Sequence, residues 1–104
     1  MGVLLYGHPD SPIEIEDRAL AHLKVVITTK LRRGESFTLS WIHPQEDDGG
    51  RSTIWLHPAI PLRFIFDSPE PAELSPTWLE ELARSAHSTG GIMLVAEHFE
   101  SPDA

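Results

Sequence analysis

The sequence contains no cysteine among its 104 residues. This absence excludes disulfide bridges, thiolate nucleophiles and thiolate-ligated metal sites together. No apolar run approaches the roughly 18 residues that a membrane-spanning helix needs, so we expect no membrane association. The N-terminus has neither a basic segment nor a long apolar one, which argues against a secretory signal peptide. We therefore expect a cytoplasmic protein.

Basic residues are scarce: 8 Lys and Arg stand against 16 Asp and Glu, for a formal net charge of −8. Phosphate backbones repel such a chain at long range, so binding to nucleic acid is possible but disfavoured. The length and an apolar content of 40% predict one domain with one modest core. We expect this domain to span residues 1–96, followed by a polar tail over 97–104.

Hydrophobic periodicity and turn residues predict the element order β-β-α-β-β-β-α-β. The first helix should run from about Asp17 to Arg33, because Leu20, Leu23 and Ile27 recur on one stripe. Gly34 is then the expected left-handed residue at its end. The result is an α+β fold of two layers, an antiparallel sheet with both helices packed on one face.

Three alternating runs after this helix predict an antiparallel meander, over 37–41, 52–57 and 62–66. Ser75 and Pro76 suit the N-cap and first position of the second helix. Its predicted buried stripe consists of Trp78, Leu79, Leu82, Ala83 and Ala86. A final strand over 92–96 is expected in the sheet interior.

A basic cluster lies at the end of the first helix, within Lys30–Ser36. On a helical projection, Arg18, His22, Thr29, Arg32 and Arg33 fall on one side and form a candidate anion-binding strip. The alternative is a solvated helix face whose basic end suits the helix dipole. We favour this alternative unless the fold brings another functional surface beside the strip.

The predicted outer face of the meander is the second candidate site. Trp55, His57 and Arg63 stand out on it as an aromatic ring, an imidazole and a guanidinium. The face would consist of Ser36, Thr38, Ser40, Thr53, Trp55, His57, Arg63 and Ile65. An aromatic residue exposed among polar ones indicates association, whereas the simpler alternative is an ordinary solvated sheet face.

Motifs for catalysis and metal binding are missing. No P-loop, dinucleotide-binding or nucleophile-elbow motif occurs, so we assign no catalytic residue. The acidic stretch His43–Asp48 lacks the spacing of a calcium loop, and the six histidines lack helical zinc spacing. We therefore expect no metal and no cofactor.

Three blocks of the chain carry a resemblance: Glu16–Leu23, Lys30–Phe37 and Trp55–Phe64. They resemble a family of small bacterial proteins of unknown function, similar to this chain over about residues 1–96. Members are often labelled ATP-dependent DNA ligase. Such a ligase needs a lysine within K-x-D-G, and neither Lys24 nor Lys30 lies in that motif. The resemblance therefore implies no catalytic residue and no ligase activity.

These observations favour a non-catalytic binding domain that self-associates or docks a protein through the Trp55 face. A nucleic-acid accessory module using Arg18, Arg32, Arg33 and Arg63 is the first alternative. The second is an enzyme acting on a small molecule or nucleotide, with His22 or His57 as acid or base.

Overall fold

The secondary structure follows the predicted order. The computed structural model describes residues 2–8, 12–43 and 50–94. The elements are β1 (Gly2–Tyr6), β2 (Ile13–Ile15), α1 (Asp17–Arg32), β3 (Phe37–Ile42), β4 (Arg51–Leu56), β5 (Leu62–Ile65), α2 (Pro76–His87) and β6 (Ile92–Leu94). The α+β class is thus confirmed. The predicted tail, the end of the last predicted strand and most of the acidic turn lie outside the described residues.

The strands form two sheets of three, in the orders β2-β1-β5 and β4-β3-β6. The predicted hairpin of β1 with β2 and the pairing of β3 with β4 are confirmed. The predicted pairing of β4 with β5 is wrong, because β5 lies antiparallel to β1, with Leu4 opposite Phe64. Alternation of polar and apolar residues indicates which face of a strand is buried, but it does not identify the neighbouring strand.

The last strand, β6, runs parallel to β3 and forms an edge of its sheet. The predicted interior position is therefore wrong. Gly91 precedes β6 with φ of 70°, and a Cβ there would overlap the Thr38 hydroxyl and lie 2.5 Å from the Thr38 carbonyl oxygen. Only glycine lets the chain approach β3 this closely at that backbone angle.

The helices do not lie together on one face of a single sheet. Helix α1 packs against β1 and α2, whereas α2 packs against β3 and β6. The core fills the space between these layers and includes Leu4, Leu20, Leu23, Ile27, Leu39, Leu56 and Ile92, all fully buried. Burying each such side chain stabilises the fold by roughly 1.5–3 kcal/mol. In the predicted α2 stripe, Ala83 is exposed, while Trp78, Leu82 and Ala86 are buried.

The end of α1 follows the predicted pattern. Gly34 has φ of 75°, and its N–H donates to the Leu31 carbonyl at 2.9 Å. The Glu35 N–H donates to the Lys30 carbonyl at 3.1 Å, which completes a Schellman motif. This turn places the Glu35 side chain next to the last turn of the helix, where it meets Lys30.

Candidate functional site

The predicted binding residue His22 is fully buried between α1 and the start of α2. The Ser75 N–H donates to its Nε2 at 2.8 Å, so the ring proton lies on Nδ1, which donates to the Arg18 carbonyl at 2.7 Å. The ring also packs on Trp78, with centroids 4.3 Å apart. The neutral His22 ring thus holds the N-cap of α2 against α1. Because it is buried, it is not part of a surface binding site.

The remaining members of the predicted anion strip are separated by their contacts. The Arg18 guanidinium donates to the Glu73 carbonyl in the loop before α2. Arg32 and Arg33 are exposed at the other end of α1. The structure therefore does not bring Arg18, His22, Arg32 and Arg33 together as one surface.

The outer face of the β4-β3-β6 sheet is the face turned away from the core. Strand register places seven described residues on it: Thr38, Ser40, Ile42, Arg51, Thr53, Trp55 and Met93. Three of them are large apolar side chains in solvent, Ile42 at 65%, Trp55 at 58% and Met93 at 41% exposure. In the centre, the Ser40 and Thr53 hydroxyls share a hydrogen bond of 2.7 Å. The surface therefore carries exposed apolar side chains around the Ser40 and Thr53 hydroxyls, which are hydrogen-bonded to each other.

Two residues predicted for this face lie elsewhere. Arg63 is on β5, opposite Leu5 in the other sheet, so it cannot share a sheet face with Trp55. His57 follows the end of β4, and its Nδ1 accepts the Ala59 N–H at 3.0 Å within a turn. The misplacement of Arg63 follows from the wrong pairing of β4 with β5, whereas that of His57 arises because β4 ends at Leu56, one residue earlier than predicted.

Tyr6 holds the end of β4 in place from the other sheet. Its hydroxyl donates to the Trp55 carbonyl at 2.5 Å and accepts the His57 N–H at 3.0 Å. The backbone that carries the Trp55 ring is thus anchored on one side by β3 and on the other by Tyr6. Nothing in the local sequence around Tyr6 indicates this contact between distant segments.

A second feature, which we call the Lys30 cleft, opens where α1 and α2 end. It is a cavity of about 370 Å³ lined by Lys30, Glu35, Ser36, Phe37, Thr38, Trp55, Ala86, His87, Ser88, Thr89 and Gly91. Lys30 Nζ lies 2.7 Å from Glu35 Oε1 and donates to His87 Nδ1 at 3.2 Å. The cleft therefore combines a charged cluster with the Trp55 side chain.

Electrostatics in the Lys30 cleft centre on the ion pair. Lys30 is 8% exposed, which is unusual for a lysine and requires a partner. The contact with Lys30 holds the pKa of Glu35 below its usual value of 4.5. Lys30 lies seven residues after Leu23, on the apolar stripe of α1. That position was the one sequence signal that could have identified it as buried.

Asp17 anchors the loop before α2 at the opposite end of α1. Its carboxylate accepts the Asp67 N–H at 3.1 Å and the Ser68 N–H at 3.0 Å. These two hydrogen bonds lower the pKa of Asp17 below its usual value of 3.8. Asp17 thus stabilises this loop through both of its carboxylate oxygens.

Two further classes of site can be addressed within residues 2–8, 12–43 and 50–94. No group of three or more His, Cys, Asp or Glu side chains there is arranged to hold a metal ion. No helix in these ranges is long and apolar enough to cross a membrane.

Comparison with known proteins identifies a family but no characterised relative. The family described as "Domain of unknown function (DUF7882)" matches residues 1–97, so the chain belongs to that family. No curated protein and no solved structure matches the chain. The resemblance to a family of unknown function is confirmed, whereas the expected bacterial origin and the ligase label are not tested by this match.

Proposed function

We propose that this member of the family is a non-catalytic binding domain that self-associates through the outer face of its β4-β3-β6 sheet. The observation that carries the proposal is the placement of Ile42, Trp55 and Met93 on one sheet face. Five large apolar side chains are exposed in the described part of the chain, and these are three of them. Such a concentration is typical of surfaces that are covered in an assembly.

The charge of this face supports a second copy of the chain as its occupant. None of the seven described residues on the face is acidic, although the chain has 16 Asp and Glu. Two copies can therefore pack their outer faces together without bringing carboxylates into contact. Aligned packing of two sheets is a common arrangement, with side chains interdigitating between them.

The remainder of the molecule opposes this association. Each copy carries a formal charge of −8, so two copies repel each other at long range. The small number of apolar side chains also limits the strength of the contact. We expect a weak dimer, with a Kd on the order of 100 μM.

Sedimentation equilibrium over a range of concentrations tests the proposal. Trp55→Ser and Ile42→Ser should each weaken the dimer about tenfold or more, because each removes one of the three large apolar side chains of the face. Ile60→Ser is the matched control, since Ile60 is 38% exposed but lies outside this face. A chain that stays monomeric throughout would overturn self-association and leave the face for a different protein.

Salt distinguishes this proposal from the nucleic-acid alternative. Screening of the like charges should strengthen the dimer as salt rises from about 50 to 500 mM. Binding to DNA or RNA would weaken over the same range as counterion release loses its driving force. The nucleic-acid alternative draws on Arg18, Arg32, Arg33 and Arg63, which lie in separate places. That separation gives it less support than the outer face gives to self-association.

A further inference from the structure

The Lys30 cleft has properties that the self-association of the sheet does not require. It lies where the end of α1, the start of β3 and the end of α2 meet, and it shares only Thr38 and Trp55 with the outer face. Its volume of about 370 Å³ lies within the range of small-molecule sites. The question is which chemistry its lining would accept.

The buried ammonium of Lys30 is the main recognition group. Lysine is a compact point charge with three donors, and its usual place is in solvent. Here it donates to His87 Nδ1 at 3.2 Å and contacts Glu35 at 2.7 Å. Placing this charge in a recess incurs a desolvation cost that an anion within contact distance offsets.

Glu35 supplies that anion in the structure, but it is weakly fixed. Its side chain is 40% exposed, so it can swing into water without losing much packing. The Oε1 atom is shielded from solvent and faces Lys30 Nζ at 2.7 Å. Both hydrogen bonding and the attraction between opposite charges contribute to this contact. A carboxylate or phosphate group of a ligand could take the same position.

The rest of the lining favours a planar apolar body attached to that anion. The Trp55 ring borders the cavity and is 58% exposed, which leaves a face available for stacking. Ser36, Ser88 and Thr89 add hydroxyl groups, while Phe37 and Ala86 border the cavity from the core and are almost fully buried. An aromatic ring beside Trp55 would thus direct its acidic substituent toward Lys30.

We propose that the Lys30 cleft binds a small aromatic anion, whose acidic group displaces Glu35 from Lys30. Without a ligand, the Glu35 carboxylate neutralises the Lys30 ammonium. When a ligand binds, its acidic group replaces the Glu35 carboxylate. The chemistry common to the possible ligands is a carboxylate or phosphate on a planar ring. This inference goes beyond the proposed self-association and does not depend on it.

Isothermal titration with phenyl phosphate tests the inference, at a protein concentration where the chain is monomeric. Lys30→Met should remove saturable binding, because it deletes the charge and keeps the length of the side chain. Glu35→Gln should tighten binding about tenfold, since the competing carboxylate is gone. Arg32→Met is the matched control for a cation at the same helix end and should leave the Kd within about twofold.

Inorganic phosphate separates the contribution of the ring from that of the charge. We expect it to bind about tenfold more weakly than phenyl phosphate, because it cannot stack on Trp55. Trp55→Leu should reduce this difference without abolishing binding of either anion.

Three results would overturn the inference. The first is absence of saturable binding of phenyl phosphate by both the wild-type chain and Glu35→Gln, a variant that leaves the core intact. The second is equal binding by Lys30→Met and wild type. The third is weaker binding by Glu35→Gln, which would mean that Glu35 contacts the ligand instead of competing with it. Failure of self-association in sedimentation affects none of these measurements, so the two proposals stand or fall separately.

Discussion

Helices α1 and α2 contact each other through a histidine at both ends of the pair, but the two histidines differ in burial and in their hydrogen-bond partners. At one end His22 is fully buried, and both of its ring nitrogens are hydrogen-bonded to backbone groups. At the other end His87 is exposed and accepts from Lys30, whose second contact is the half-exposed Glu35. The first end is closed and fully satisfied, whereas the second opens into the Lys30 cleft.

This difference separates stability from binding. A buried group that exchanges hydrogen bonds with the backbone has no capacity left for a ligand, and its loss leaves polar atoms unpaired. A charged pair at the mouth of a cavity contributes less to folding, because solvent competes with each partner. We therefore expect substitutions at the His22 end to change the free energy of unfolding. Those at the Lys30 end should chiefly change what the protein binds.

His22→Ala should have the largest effect, a loss of about 4 kcal/mol in the free energy of unfolding. The substitution creates a cavity beside Trp78 and leaves the partly buried Ser75 N–H without its acceptor. Urea denaturation followed by far-ultraviolet circular dichroism measures this change. His57→Ala is the control, because His57 is exposed, and it should cost less than about 1 kcal/mol. An equal loss in the free energy of unfolding for the two variants would contradict the structural role of His22.

Two glycines beside the Lys30 cleft offer a second comparison. Both have positive φ, but a Cβ on Gly34 meets nothing within 4 Å, whereas a Cβ on Gly91 collides with Thr38. Gly34→Ala should therefore cost about 1 kcal/mol for the backbone angle alone. Gly91→Ala should cost about 3 kcal/mol, because it also separates β6 from β3. Thermal and urea unfolding of the pair measure this difference, and similar costs would contradict the close approach.

Lys30→Met should change the free energy of unfolding by less than about 1 kcal/mol, although Lys30 is buried. Methionine fills the same space, and the half-exposed Glu35 is free to turn into solvent. The same urea experiment measures the effect beside His22→Ala. A loss as large as that of His22→Ala would show that the open end is also essential for folding.

Acid should lower the free energy of unfolding through contacts at both ends of α1, by less than the substitutions above. The pKa values of Asp17 and Glu35 are lowered in the fold, from usual values of 3.8 and 4.5. Below these values the unfolded chain takes up protons before the folded one does. The stabilisation is therefore present above about pH 4.5 and is lost as pH falls through the folded pKa values. Urea midpoints measured from pH 6 downward should fall more gently for Asp17→Asn than for wild type, whereas an unchanged slope would contradict the Asp17 loop contacts.

The features that could be predicted from the sequence depend on short-range patterns. The apolar stripe of α1, the Gly34 turn and the Ser75 cap each follow from residues within one or two helical turns. The exposed position of Trp55 followed from the alternation of β4. These signals need no knowledge of which segments meet in space.

The features that were missed depend on long-range contacts. The pairing of β5 with β1, and hence the true place of Arg63, joins segments that are nearly sixty residues apart. The contact of Lys30 with His87 spans 57 positions. Because charge and turn signals are local, they indicated a basic helix end but not the recess that surrounds Lys30. His22 was assigned to the surface for the same reason, since its partner Ser75 lies 53 positions away.

The indole N–H signals in a proton–nitrogen correlation spectrum compare the two regions within one sample. Trp55 lies on the outer face, whereas the buried Trp78 ring packs on His22 at the closed end. On dilution from about 1 mM to about 20 μM, across the expected Kd, we predict that the Trp55 signal moves and the Trp78 signal stays fixed. A Trp55 signal that does not move over this range would contradict self-association through the outer face.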